Sequence, residues 1–112
     1  MSSTLSSLTA ITPLDGRYAS QVDALRPYFS ESGLMRYRVQ VEVEWLIALA
    51  AEPAIAEVPA FSAGTIKELD AVVENFSETD GARVKEIESR TNHDVKAIEY
   101  FLKERLAKNA EV

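Results

Sequence analysis

Between Ser30 and Glu52 the apolar positions Met35, Val39, Val43, Leu46 and Ala50 recur at three- and four-residue steps. That spacing places them on one face of a helix. A shorter window reads differently. Val39, Val41, Val43 and Trp45 alternate with Gln40, Glu42 and Glu44, as a half-buried strand would. Length decides for the helix, since nothing after Gly33 breaks the run before Pro53. The expected helix begins near Ser30 or Ser32 as N-cap and stops ahead of Pro53.

Pro53 to Pro59 reads as a connection. A second helix is expected from about Ser62 to Asn75, with Ile66, Leu69, Val72, Val73 and Phe76 as its apolar stripe. Ser77 then reads as an N-cap, with Asp80 three residues on approximating a capping box. The third helix carries Val84 and Ile87 inward and reaches about Arg90. The polar run Thr91-Asn92-His93-Asp94 interrupts the pattern. Asp94 or Thr91 is the expected cap of a fourth helix, Val95 to about Ala107. That helix is lined by Val95, Ile98, Phe101, Leu102 and Leu106, with Lys96, Glu99, Lys103 and Glu104 facing water.

Residues 1 to about 29 show no sustained period. Thr12-Pro13-Leu14-Asp15-Gly16 is turn chemistry. Pro27 is expected to break any helix attempted over Gln21 to Leu25. The fold class is therefore all-α: an irregular N-terminal arm followed by about four helices, one domain of ordinary size at 112 residues.

Composition narrows the function. A formal charge of −6, from 12 Lys+Arg against 18 Asp+Glu, argues against nucleic-acid binding through clustered basic charge. The acidic excess reads as solvated helix faces. One anionic small molecule remains compatible, because a single Arg and a helix N-terminus hold a phosphate locally. With no cysteine, neither a disulfide nor a thiolate metal site can form within the chain, and one histidine makes a self-contained zinc site a poor reading. The start of the chain is Ser/Thr-rich without a basic segment and apolar core, so no secretory signal is read there. The longest apolar run, Trp45 to Ala51, is too short for a bilayer. The expectation is a cytoplasmic protein with no membrane and no nucleic-acid partner.

Two polar clusters fall where the backbone must turn. In Asp15-Gly16-Arg17-Tyr18, glycine permits a close approach to a ligand, and Arg17 can hold a phosphate or carboxylate through paired charge-assisted bonds. A surface turn with a snorkelling Arg accounts for the same residues. In Thr91-Asn92-His93-Asp94, a helix start attracts anions and Asn92 donates and accepts. His93 can donate to a phosphate or relay a proton, and Asp94 either orients the imidazole or caps the helix. A polar helix junction with an exposed histidine is the alternative. The glycines at 16, 33, 64 and 81 are too scattered for a phosphate loop. Trp45, Phe76, Tyr100 and Phe101 read as core or interface.

Three segments carry a resemblance. Ser7-Leu8-Thr9-Ala10 through Asp15-Gly16-Arg17-Tyr18, the run Tyr37-Arg38-Val39-Gln40-Val41-Glu42-Val43-Glu44-Trp45-Leu46, and the run Thr91-Asn92-His93-Asp94-Val95-Lys96-Ala97-Ile98-Glu99-Tyr100-Phe101-Leu102 together resemble the N-terminal domain of bacterial adenylosuccinate lyases. Those enzymes belong to the fumarase/aspartase superfamily of helical homotetramers. The first motif is moderately specific, since argininosuccinate lyases carry a similar Gly-x-Arg-aromatic element. The last is much more so.

The resemblance implies elimination of fumarate from adenylosuccinate to give AMP, and from the succinylated carboxamide ribotide of purine synthesis. It implies neither metal nor organic cofactor. It implies substrate contacts at Arg17, Tyr18, Asn92, His93 and Asp94. Arg17 is the expected phosphate holder, and His93 takes an assisting or phosphate-side role. The family's serine loop, its second histidine and its long central helices have no match here. The chain is therefore expected to be a truncated N-terminal domain, residues 1–112, inactive alone. A stand-alone helical binding or interaction module derived from that domain is the alternative.

Overall fold

A computed structural model describes residues 6–112, and residues 1–5 of the arm lie outside that range. A 3₁₀ helix, Ala19–Leu25, leads into a one-turn helix α1, Arg26–Phe29. Four longer helices follow: α2 Glu31–Ala50, α3 Ala63–Glu74, α4 Glu78–Thr91 and α5 Asp94–Arg105. The all-helical expectation holds, and there is no strand among the described residues.

Serine sets three of the four starts. Ser30 accepts the Gly33 N–H at 3.0 Å, and Ser62 accepts the Thr65 N–H at 3.2 Å. Ser77 forms a full capping box: its hydroxyl accepts the Asp80 N–H, and Asp80 accepts the Ser77 N–H at 3.0 Å. Each bond satisfies a backbone donor that has no partner within the helix. Pro27 does not stop the chain from coiling, contrary to expectation. It lies in the first turn of α1, where its missing N–H costs nothing. Gly33 is required at the α1–α2 corner, because a Cβ there would collide with the Pro27 carbonyl.

The core lies between α2, α3, α4 and α5. It is built from Met35, Val39 and Val43, from Leu69 and Val73, from Val84 and Ile87, and from Ala97, Ile98, Phe101 and Leu106. Phe76 meets Phe101 edge to face at 5.7 Å between ring centres. One expected inward position differs. Val95 is exposed, and the inward slot beside it belongs to Ala97. The strand-like alternation in α2 resolves by helical geometry: Val39 and Val43 are buried, while Val41 and Trp45 point outward.

Ion pairs fasten α4 to α5 as an antiparallel hairpin. Asp80 near the start of α4 pairs with Arg105 at the end of α5, and Arg83 bridges Glu104 and Glu86. The hairpin joins α2 through Lys85–Glu31 at 2.9 Å and Arg38–Asp94 at 3.1 Å. The Cα radius of gyration is 17.8 Å, above the roughly 13 Å of a compact chain this long. The longest dimension, 57 Å, matches an arm that extends from the bundle.

Candidate functional site

The 91–94 segment spans the connection between α4 and α5. Thr91 ends α4 and Asn92 adopts a left-handed conformation with φ of 54°. Asn tolerates that conformation better than most residues. The Thr91 hydroxyl brackets His93, accepting its backbone N–H at 3.3 Å and donating to its carbonyl at 3.2 Å. The side chain of Asn92 is exposed and has no hydrogen-bond partner among the described residues.

The cap of α5 is neither Asp94 nor Thr91 but His93. Its Nδ1 accepts the Lys96 N–H at 3.0 Å. Thr91 is still inside α4 and Asp94 is already inside α5, so His93 alone occupies the capping position. The neutral ring then carries its proton on Nε2, a donor with no partner among the described residues. Asp94 does not orient this imidazole. One of its oxygens accepts the Val95 N–H at 2.9 Å, and the other meets Arg38 Nη1 at 3.1 Å. The Val95 N–H first, and then the Arg38 charge, hold the Asp94 carboxyl below its ordinary value.

What the junction offers a ligand is therefore narrow: the Asn92 amide, the His93 Nε2–H and the positive end of α5. Lys96, one turn along, is engaged by Glu99 at 3.1 Å. Arg38 was not among the residues singled out from sequence. Its one signal was its place beside Val39 on the border of the buried stripe.

The other cluster sits on the arm. The turn forms as expected, with the Asp15 N–H on the Thr12 carbonyl and the Tyr18 N–H on the Pro13 carbonyl. Gly16 has a local duty. A Cβ there would lie 2.6 Å from the Ser7 carbonyl, so the glycine admits the chain's own backbone. Arg17 lies over the Tyr18 ring at 5.0 Å, exposed and with no ion pair among the described residues. No hydrogen bond or ion pair among the described residues joins Arg17 or Tyr18 to Asn92, His93 or Asp94. No group of three or more His, Cys, Asp or Glu among them is placed to hold a metal ion. No described helix is long and apolar enough to cross a membrane.

The all-helical fold agrees with what sequence comparison finds. A family model described as Lyase matches residues 16–112, and the chain belongs to this lyase family. Within it, adenylosuccinate lyase of Escherichia coli strain K12 is 63% identical over 108 residues, which is 96% of this chain and 24% of that protein. The proteins of the same name from Vibrio cholerae and Haemophilus influenzae are 61% and 57% identical over 92% and 96% of this chain, and 23% and 24% of their own lengths. The chain spans about a quarter of the length of the curated relatives it matches.

Proposed function

We propose that this chain is the N-terminal helical domain of an adenylosuccinate lyase and supplies part of its substrate-binding surface. The central helical bundle and C-terminal domain would lie outside residues 1–112. The observation that carries this reading is 63% identity over nearly the whole chain. The assembled enzyme would eliminate fumarate from adenylosuccinate, leaving AMP, and from the succinylated carboxamide ribotide, within purine synthesis in the cytoplasm. A proton leaves the carbon next to a carboxylate, the carbon–nitrogen bond breaks, and the departing nitrogen gains a proton. That requires one base and one acid.

The residues of this chain bind rather than carry both proton steps. Arg17 is suited to the phosphate, with Tyr18 beside it. Asn92 and the His93 Nε2–H donate toward an anionic group at the start of α5. His93 accordingly takes the phosphate-side or assisting role, while Asp94 contributes by holding its neighbours. No hydrogen bond or ion pair among the described residues joins the two clusters. This fits a site completed by other parts of the protein, including other subunits of a homotetramer. A stand-alone module is the weaker reading, because the arm and the outer side of α2 leave Leu8, Ile11, Phe29, Val41 and Trp45 open to water.

The test is kinetic, in the full-length enzyme carrying this segment. Arg17→Ala and His93→Ala are each expected to lower kcat/KM for adenylosuccinate by roughly a hundredfold, about 2.7 kcal/mol of transition-state stabilisation. Near-parental values would make both clusters structural. The isolated chain is expected to show no turnover, and adenylosuccinate cleavage by a preparation free of host enzyme would overturn that.

A further inference from the structure

We propose that Arg38 is a positioning residue for Asn92 and His93, acting through the carboxylate of Asp94. The inference rests on the reading of that junction as substrate-binding surface.

Asn92 and His93 are the only residues between α4 and α5. Asn92 holds a left-handed conformation, which costs about 1–2 kcal/mol for an ordinary side chain. Strained connections persist when their surroundings hold them from several sides. The bonds made by the Thr91 and His93 side chains lie within residues 91–96, so they shape the junction but do not tie it to α2. Among the described residues, Arg38–Asp94 is the one side-chain bond from residues 91–94 to α2. It fixes the first turn of α5 against a helix that is itself locked into the core by Val39 and Val43.

The pair also has an electrostatic task. Asp94 stands next to the residues that would face an anionic ligand, where its charge opposes binding. Arg38 offsets that charge while occupying the oxygen that Val95 leaves free. Arg38 lines a groove with Leu34, Tyr37, Val41, Glu42, Val95 and Ile98. Lysine would keep the charge but lose the planar fork that fixes direction.

The test uses the full-length enzyme with adenylosuccinate, comparing Arg38→Ala, Arg38→Lys, Asp94→Ala and the double variant. Arg38→Ala is expected to raise KM about tenfold while kcat changes less than about threefold, with Lys recovering part of the loss. In the Asp94→Ala background, removing Arg38 is expected to add almost nothing, because the two act as one unit. Thermal unfolding of each variant separates loss of stability from loss of positioning. A parental KM in Arg38→Ala, whatever its melting temperature, overturns the inference. So does an effect that persists in full without Asp94, which would mean direct contact with substrate. Should Arg38→Ala fail to fold, Arg38→Gln keeps most of the volume and removes the charge, with the same expectations. A parent enzyme that does not cleave adenylosuccinate would defeat the functional reading instead, whereas an active parent indifferent to Arg38 defeats only this inference.

Discussion

The arm and the helical bundle are both rich in apolar residues, yet they treat them in opposite ways. Leu8, Ile11 and Phe29 in the arm are 94%, 91% and 82% exposed, whereas Val39, Leu69 and Phe101 in the bundle are at most 1% exposed. The arm is held by bonds between near neighbours, such as the Arg26 guanidinium on Asp23 and on the Ala19 carbonyl. The bundle is held by side chains from four helices meeting in one place. Apolar composition therefore does not by itself make a core. What matters is whether the chain supplies a second and third element for each apolar face to meet.

The largest test of this contrast is a matched pair of truncations. Phe101→Ala is expected to cost about 3–5 kcal/mol, the usual range for an aromatic side chain removed from a closed core. Phe29→Ala is expected to change stability by less than about 0.5 kcal/mol, as at ordinary surface sites. Urea unfolding of both variants measures this, and equal losses would erase the distinction between the regions.

Capping sharpens it on a smaller scale. Ser77→Ala removes the reciprocal bonds that start α4 and is expected to cost about 1 kcal/mol. Tyr18 begins the 3₁₀ helix without any side-chain cap bond, so Tyr18→Ala is expected to stay within about 0.5 kcal/mol. A comparable loss at Tyr18 would show the arm to be more firmly built than its bonds suggest.

The smallest effect concerns acid. Burial alone would raise the Asp80 carboxyl, but the Ser77 N–H, the Arg105 guanidinium and the Ser77 hydroxyl outweigh it and bring it below 3.8. A carboxyl that holds protons less readily when folded adds stability at pH above that value and loses it as the pH falls further. Acid titration of stability should therefore be shallower below about pH 4 in Asp80→Asn than in the parent. Asp23, in an exposed pair with Arg26, serves as the arm's control: Asp23→Ala is expected to alter stability by no more than about 0.5 kcal/mol. An unchanged acid profile in Asp80→Asn would remove the α4–α5 clasp from the account.

The helices were legible because their signals are local. Ser30, Ser62 and Ser77 announce starts, and the steps from Met35 to Ala50 or Val84 to Ile87 name the buried side. Where the reading missed, the deciding fact was elsewhere. Pro27 looked like a breaker because its position within a turn could not be seen. Val95 looked inward because its place in the first turn of α5 depends on where the cap falls. That cap was missed since histidine is not among the common capping residues, although its Nδ1 does the same work as a serine oxygen. Arg38 was not singled out, because the pairing with Asp94 exists only once α2 and α5 are side by side. The residues of the two clusters were recognisable by type, while the bonds each makes in the fold were not.

The two-residue connection between α4 and α5 also bears on the order in which the molecule assembles. Closing a short loop takes little chain entropy, and neighbouring helices make the contacts of lowest sequence separation. On topology alone, the α4–α5 hairpin is where burial first repays the chain for becoming ordered. Asn92 and His93 stand at the vertex of that hairpin. On that reasoning the segment proposed to face the ligand takes shape with the hairpin, before α2 arrives to brace it.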